Sequence, residues 1–416
     1  MQMYKIRLDS KIATNFRNTV NRYINLSIAQ KYKRKNNKET NAWNTICSIM
    51  DRVDDLICYL NEKELNNGQW KRCAFDFFEF IEQAGVLVQC IDDAFKIYEI
   101  DFPQHGNIFK SKKINKNTLE FKKKDELDDL YFKYIRSLSS VHPSDTDRHR
   151  IFQETDFEVS PYVVWNEGIF TLNNPNADLV LVTYNNETSE FLTNKAIIIS
   201  EVFNYIKYKY YSLNYLSKCI SQKYEKIIDN FRNTPIKKPS DFDDYILYLK
   251  NIKKEALSRN PDMECDIQEV IDIFSLNLTN DSNTIKFDKY KNSLKYAFQA
   301  IHRQLQNMDF NCNSPIDQLL GDLLLGNIYF DDDNYHYPLS KILYLKEETG
   351  DKMWGIKMYK LLLSVFKKYI DISERDLYNL EYNELYILSQ IALYHHALEF
   401  ECNINYMIPD SDNYRC

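Results

Sequence analysis

The chain has 416 residues, 44% of them hydrophobic, and a formal net charge of −7. Only 8 Gly and 10 Pro occur, well below the usual shares of about 7% and 5%, which excludes a turn-rich all-β sandwich, a collagen-like chain and a Pro/Gly-rich disordered one. The mild acidic balance lacks the basic excess of a general nucleic-acid binder, so local fields must decide any such role.

No apolar signal core follows the N-terminal MQMYKIRLDSKIATNF, and no run of about 18 apolar residues occurs, so no membrane-spanning helix is expected. Nine cysteines, none in a Cys-x-x-Cys pair, read as reduced, buried thiols in a cytoplasmic protein. Residues 1–40 are polar and end in the basic run Lys31, Lys33, Arg34, Lys35 and Lys38, read as a solvated arm or helix end.

From Asn41, apolar residues at Trp43, Ile46, Met50, Val53, Ile57 and Leu60 recur at helical spacing. Residues 70–99 are almost continuously apolar and too long for a strand, so a helix buried on most sides is expected. A loop over 101–124 carries seven lysines. Leu127, Leu130, Tyr131, Tyr134, Ile135, Leu138 and Val141 form the next stripe, stopped by His142-Pro143 because the residue before proline is pushed from helical torsions. The β-branched runs 161–165 and 178–184 predict two strands of a small sheet. Helix resumes near Ser200. The Asn233–Ser240 segment, with two prolines, is the best linker. Further helices are expected near 241–258, 265–275, 286–308, 353–371 and 373–400, with Ser240/Asp243 and Ser373/Asp376 as start signals.

Tyr134 to Pro143 contains Arg136, five residues, then His142. With 14 Arg and 7 His in the chain, about 0.7 such spacings arise by chance, so the context matters more than the match. The pair closes an amphipathic helix that follows a longer buried one. Six helical positions turn ~600°, so the two side chains share a cleft only if the helix loosens near Val141. Arginine suits phosphate oxygens and histidine moves protons near neutral pH.

On these residues the chain resembles the HEPN superfamily, whose ribonucleases carry Arg-x4–6-His on a helix. Ser144-Asp145-Thr146-Asp147-Arg148-His149 is similar to the continuation in bacterial antiphage members. Ser137 stands where the family often has Asn, Asp or His. The resemblance implies a mainly α fold: a HEPN-like bundle over 1–235 with a β excursion near 160–184, then a C-terminal helical domain over 236–416. It implies metal-independent RNA cleavage with Arg136 and His142 catalytic, and Ser137, Asp145, Arg148 and His149 supporting. RNA is the implied partner. A homodimer is implied as well, since only one motif is present and two usually meet. A defence or toxin effector with a regulatory protein partner fits this class. Lys110, Lys112, Lys113, Lys122, Lys123 and Lys124 are candidates to guide RNA, although such runs are commonly solvated loops.

No cofactor or metal is expected. His395 and Glu399 have an i,i+4 spacing that a metal can use, but without a third ligand they read as structural. Asp331-Asp332-Asp333 lacks the spacing of a calcium loop. Walker A, Gly-x-Gly-x-x-Gly and Gly-x-Ser-x-Gly motifs are absent. The competing class is a non-catalytic helical interaction or sensor protein, favoured by the lack of any strong motif in 236–416.

Overall fold

The structure, a computed structural model, describes residues 3–28, 30–33, 38–66, 70–104, 106–114, 124–141, 145–146, 149–153, 158–167, 175–184, 192–311, 319–321, 323–324, 335–347 and 350–399. They form a mainly helical protein with a small antiparallel sheet. The chain divides into two compact units, Met1–Glu225 and Lys226–Cys416.

The first unit begins with β1 (Met3–Tyr4), α1 (Ser10–Arg22), α2 (Ile24–Ile28), β2 (Lys31–Lys33) and β3 (Glu39–Asn41). This stretch is not a solvated arm. Asp9 caps α1 by accepting from the Lys11 N–H at 3.0 Å. Ile12, Phe16 and Val20, an i, i+4, i+8 stripe, are buried. Their polar neighbours dilute that stripe in the sequence. Lys31–Lys33 pair antiparallel with Glu39–Asn41, so the start of the basic run is a strand.

Next come α3 (Trp43–Glu62), β4 (Leu65–Asn66, paired with β1) and α4 (Trp70–Tyr98). The α3 stripe is buried as its spacing requires. Helix α4 buries Phe77, Phe80, Ile81, Ala84, Leu87, Ile91 and Phe95 among others and packs against α3, α5 (Lys124–Arg136) and the sheet. It is the central helix of this unit.

A π-helical turn, Ser137–Val141, continues α5. The sheet follows, with β5 (Asp145–Thr146), β6 (Glu158–Trp165), β7 (Leu179–Tyr184) and β8 (Leu192–Ile197) in the order β5-β6-β7-β8, all antiparallel. The two expected strands are the central pair, β6 and β7. Leu179–Thr183 are all buried, which is why β7 reads as an unbroken apolar run rather than an alternating one. The β6–β7 register shifts between Val159 and Tyr162, around Pro161, which has no N–H to give a ladder. Strand β5 is only two residues long and β8 opens with the polar Thr193-Asn194-Lys195, which is why the sequence pattern omits them.

Helix α6 (Ile199–Asn233) starts in the first unit and ends in the second, just before Pro235. Its Val202, Ile206, Leu213, Leu216, Ile220 and Tyr224 are buried.

The second unit continues with α7 (Tyr245–Arg259), α8 (Glu264–Ser275), α9 (Thr284–Asn307), α10 (His336–Ile342), α11 (Lys352–Phe366), α12 (Asp376–Asn379) and α13 (Tyr382–Glu399) around one apolar cluster. The Ser373/Asp376 signal is a reciprocal capping box: Ser373 N–H donates to Asp376 at 2.7 Å, and Asp376 N–H to Ser373 Oγ at 3.3 Å. It opens only the single turn α12, and the expected 373–400 helix is split at Leu380. For α7 the cap is Asp244, which accepts from the Ile246 N–H at 3.1 Å, rather than Ser240.

Arg259 ties helix ends together. Its guanidinium, 1% exposed as a residue, donates to the carbonyls of Phe231 (2.8 Å), in the last turn of α6, and Thr234 (3.0 Å), just beyond it. It also donates to the Leu305 carbonyl of α9 at 3.2 Å and to Glu255 at 3.0 Å. The Phe231 and Leu305 carbonyls lie in last helical turns and each also accepts a capping N–H, from Thr234 at 3.2 Å and from Met308 at 3.4 Å. Arg259→Ala removes the charged donor that these carbonyls share and is expected to cost about 2 kcal/mol, read as a lower urea midpoint for the second unit's transition.

Among the described residues no helix is long and apolar enough to cross a membrane. The expectation of buried thiols is not met at any of the five cysteines whose burial is described: Cys58 and Cys265 are exposed because they lie on outward faces of α3 and α8. Cys47, Cys90 and Cys219 are half-buried, and all five are free thiols.

Candidate functional site

Arg136 ends α5, with Lys133 in the same turn, where cations meet the negative end of the helix dipole. The helix then widens into the π-turn Ser137–Val141. Local chemistry explains the change. Ser137, Ser139 and Ser140 are poor helix formers, and the Ser139 hydroxyl donates back to the Ile135 carbonyl at 2.7 Å. The loosening expected near Val141 thus begins directly after Arg136. Leu138 is 1% exposed and anchors the turn. The Ser137 hydroxyl is buried and has no hydrogen-bond partner among the described residues.

The Arg136 side chain lies across α4. Its Nε donates to both carboxylate oxygens of Glu82 at 3.2 and 3.1 Å, and Nη2 donates to Oε2 at 3.0 Å. About a third of each side chain is exposed (34% and 29%), so the pair sits at the surface edge of the α4–α5 contact. Gly85, one turn further along α4, makes room. A β-carbon there would lie 2.7 Å from Arg136 Cδ and Nε.

His142, the other half of the motif, lies outside the described residues, as do Arg148, Lys122 and Lys123. Asp145 is placed by its backbone, in β5 opposite Val159, and Lys124 begins α5. His149 is half-buried, with its ring 5.7 Å from that of Tyr134. Tyr134 and Arg136 are two positions apart, about 200° around α5, so His149 belongs to the opposite flank from the Arg136 guanidinium. On that flank Lys195 of β8, 7% exposed, donates to the Tyr134 hydroxyl and, at 2.8 Å, to the Phe152 carbonyl. Lys113 and Ser111 line a small cleft beside these groups.

The lysine run does not act as one surface. Lys112 turns inward and pairs with Asp128, their side chains 5% and 0% exposed. Asp128 also accepts from the Ile108 N–H at 2.8 Å, so this pair stitches the loop to α5 and removes Lys112 from any RNA-facing set. Lys110 and Lys113 are exposed. The loop is held by Glu201, which accepts from the Lys110 and Ser111 N–H groups at 3.1 and 3.3 Å.

A third polar group bridges α4, α5 and α6. Lys209, its side chain 3% exposed, contacts Asp92 at 3.0 Å and Asp129 at 2.9 Å. The Tyr205 hydroxyl donates to Asp129 at 2.7 Å, and Lys209 Nζ stands 4.1 Å from the Phe102 ring centroid. Burial raises the Asp92 pKa, partly offset by the attraction of Lys209. Burial, then the Asp129 charge, raises the Tyr205 pKa well above the ordinary phenol value.

In the second unit, His395 Nε2 meets the Lys286 carbonyl at 3.2 Å. His396 Nδ1 meets the Tyr369 hydroxyl at 2.9 Å, and that hydroxyl also donates to Glu399 at 2.5 Å. Burial lowers the pKa of both histidines. They are structural groups, and no set of three His, Cys, Asp or Glu able to hold a metal occurs among the described residues.

Sequence reasoning passed over Glu82, Gly85 and Lys209. A glycine inside an otherwise unbroken apolar helix was the one available signal for a close approach. Comparison with family models, with curated proteins and with solved structures finds no match to this chain.

Proposed function

We propose that the chain is a metal-independent RNA endonuclease of HEPN type, acting as a homodimer in an antiphage or toxin role under the control of a protein partner. The ribose 2′-oxygen gives its proton to His142 and bonds to its own phosphorus. The P–O5′ bond breaks, the 5′-oxygen takes up the proton from the His142 imidazolium, and the products carry a 2′,3′-cyclic phosphate and a 5′-hydroxyl. Arg136 neutralises the charge that develops on the non-bridging oxygens. The observation supporting this reading is that the Arg136 helix gives way at once to a π-helical turn ending one residue before His142. π-Turns recur at functional sites.

The test is RNA cleavage by the purified full chain in EDTA, with end chemistry read on the products. Cyclic-phosphate ends are the expected result. Cleavage that needs a divalent ion, or ends carrying a 5′-phosphate, removes the proposal. The second reading is a helical interaction protein, favoured by the Arg136–Glu82 pair and the inward Lys112, which leave one candidate cation joining α5 to α4 and another joining a loop to α5. Absence of cleavage with and without metal supports that reading.

A further inference from the structure

We infer that α1 and α6 together form a face that binds single-stranded RNA, with Tyr211 and Tyr215 as its stacking platform; the choice of RNA as the strand rests on the nuclease reading just given. The two helices are held side by side at both ends. The Tyr210 hydroxyl donates to the Asp9 carbonyl at 2.7 Å and accepts from the Ala13 N–H at 3.2 Å. Further along both helices, the Tyr23 and Tyr224 rings stand 5.5 Å apart, and the Tyr23 hydroxyl donates to Glu225 at 2.7 Å. The chain has more acidic than basic residues, 60 against 53. Yet α1 contains no carboxylate, and neither does α6 from Val202 to Tyr224. Three cations of these spans are used internally. Arg17 meets Asp51 and Asp54 of α3, Lys209 meets Asp92 and Asp129, and Lys223 donates to the Tyr98 carbonyl.

The remaining cations face outward: Lys11, Arg22 and Lys218 are exposed and Lys207 is half-buried. Between them stand Tyr211 and Tyr215, each 42% exposed. Lys207, Tyr211, Tyr215 and Lys218 follow one another by four, four and three positions, so they share one side of α6. Tyr211 rests against the buried Tyr210, their rings 5.8 Å apart, so the platform is backed by the joint between the helices. Each part of the face matches one part of a single strand. The cations neutralise phosphates. An open tyrosine ring offers its face to an unpaired base, and such stacking tolerates any sequence. A duplex keeps its base faces covered. Among the described residues, the two tyrosines are the large apolar side chains exposed on these helices, so a lipid surface finds no aliphatic anchor. Carboxylates stand at the margins: Asp9 caps the start of α1, Glu225 is held by Tyr23, and Asp101 lies beside Tyr215.

The experiment measures binding of the full chain to a labelled 2′-O-methyl oligo-uridine of about 12 nucleotides. That strand has no 2′-hydroxyl to attack with, so binding is read apart from cleavage. Tyr211→Ala and Tyr215→Ala are each expected to weaken binding about 10-fold, the loss of one stacked base, while Tyr211→Phe stays within about 2-fold of the unaltered chain. The Lys207→Gln/Lys218→Gln double variant is expected to flatten the slope of log affinity against log salt by about 1.4, at about 0.7 for each phosphate contact on a single strand. The inference is overturned by an unaltered chain that does not bind, by alanine variants that bind as well as it does, or by a phenylalanine variant as weak as the alanine one. An unchanged salt slope in the lysine variant, or equal competition by an RNA duplex, also overturns it. Binding to phosphatidylglycerol vesicles that these substitutions abolish, with RNA binding intact, gives the face to lipid instead. The two readings fail separately. Binding without cleavage of the unmodified RNA refutes the nuclease and leaves the face; cleavage with unchanged binding in the alanine variants refutes the face and leaves the nuclease.

Discussion

Arg136→Ala is expected to slow single-turnover RNA cleavage by about 100- to 1000-fold, the range found when one preorganised donor to a developing anion is removed. The guanidinium stands at the end of α5 with its plane set by Glu82, and alanine abolishes both the charge and the fork. Arg136→Lys keeps the charge but replaces a planar fork with a point charge, so it is expected to recover only a small part of the rate. His142→Ala is expected to cost about 100- to 10,000-fold through loss of proton transfer. Rates are compared at saturating RNA, with thermal unfolding of each variant as the control. Because Arg136 is about one third exposed, its removal should leave the unfolding midpoint nearly unchanged. Full-rate cleavage by the folded double variant would dispose of the mechanism.

Lys209→Met is expected to destabilise the first unit by about 3 kcal/mol, the low end for breaking a buried ion pair by removing one partner. Methionine fills the space of the stem but leaves Asp92 and Asp129, whose charges repel each other, without their shared ammonium, with side chains only 16% and 33% exposed. Asp129 retains the Tyr205 hydroxyl, and its exposure moderates the loss. In thermal unfolding this corresponds to a midpoint about 6–12 °C lower for a unit of this size. The pH dependence has a definite sign. Asp92 already has a raised pKa in the folded state, so its contribution to stability is fullest below the unfolded aspartate value and declines as pH rises through the folded one. Removing Lys209 takes away the attraction that opposes this rise, so the folded pKa climbs further. The deficit of the variant should therefore be largest near neutral pH and shrink toward pH ~4, where Asp92 is protonated in both chains. A deficit that stays constant with pH would assign the loss to packing instead of charge.

The central helix illustrates what pattern alone conveys. Residues 70–99 announce α4 because a near-continuous apolar run of that length has only one economical backbone, and Phe77, Phe80, Ile81, Leu87, Ile91 and Phe95 are buried in it. The β6 and β7 strands were equally plain, since Leu179–Thr183 is β-branched, apolar and buried on both faces. Helix α1 was obscured because its buried stripe, Ile12, Phe16 and Val20, is separated by Thr, Asn and Arg. Strands β5 and β8 were obscured because they borrow their place from β6 and β7. At the candidate site the motif Arg136–His142 and the loosening of its helix could be read from serines and a following proline, both of which act locally on the backbone.

By itself the sequence determined the helical class, the position of the sheet's central strands and the helix end before Pro235, because each depends on periodicity or torsional preference within a short stretch. Tertiary structure alone decided which partner each charge would take. Glu82 and Arg136 are 54 positions apart, and Lys209 lies 117 and 80 positions from its two carboxylates. Lys112 looks like its neighbours Lys110 and Lys113 in the sequence, yet it alone of the three turns into the buried pair with Asp128. Such pairings follow from how α4, α5 and α6 pack. An ion's energy depends on the distance to its partner and on how far water is excluded, and neither quantity is written in the local pattern.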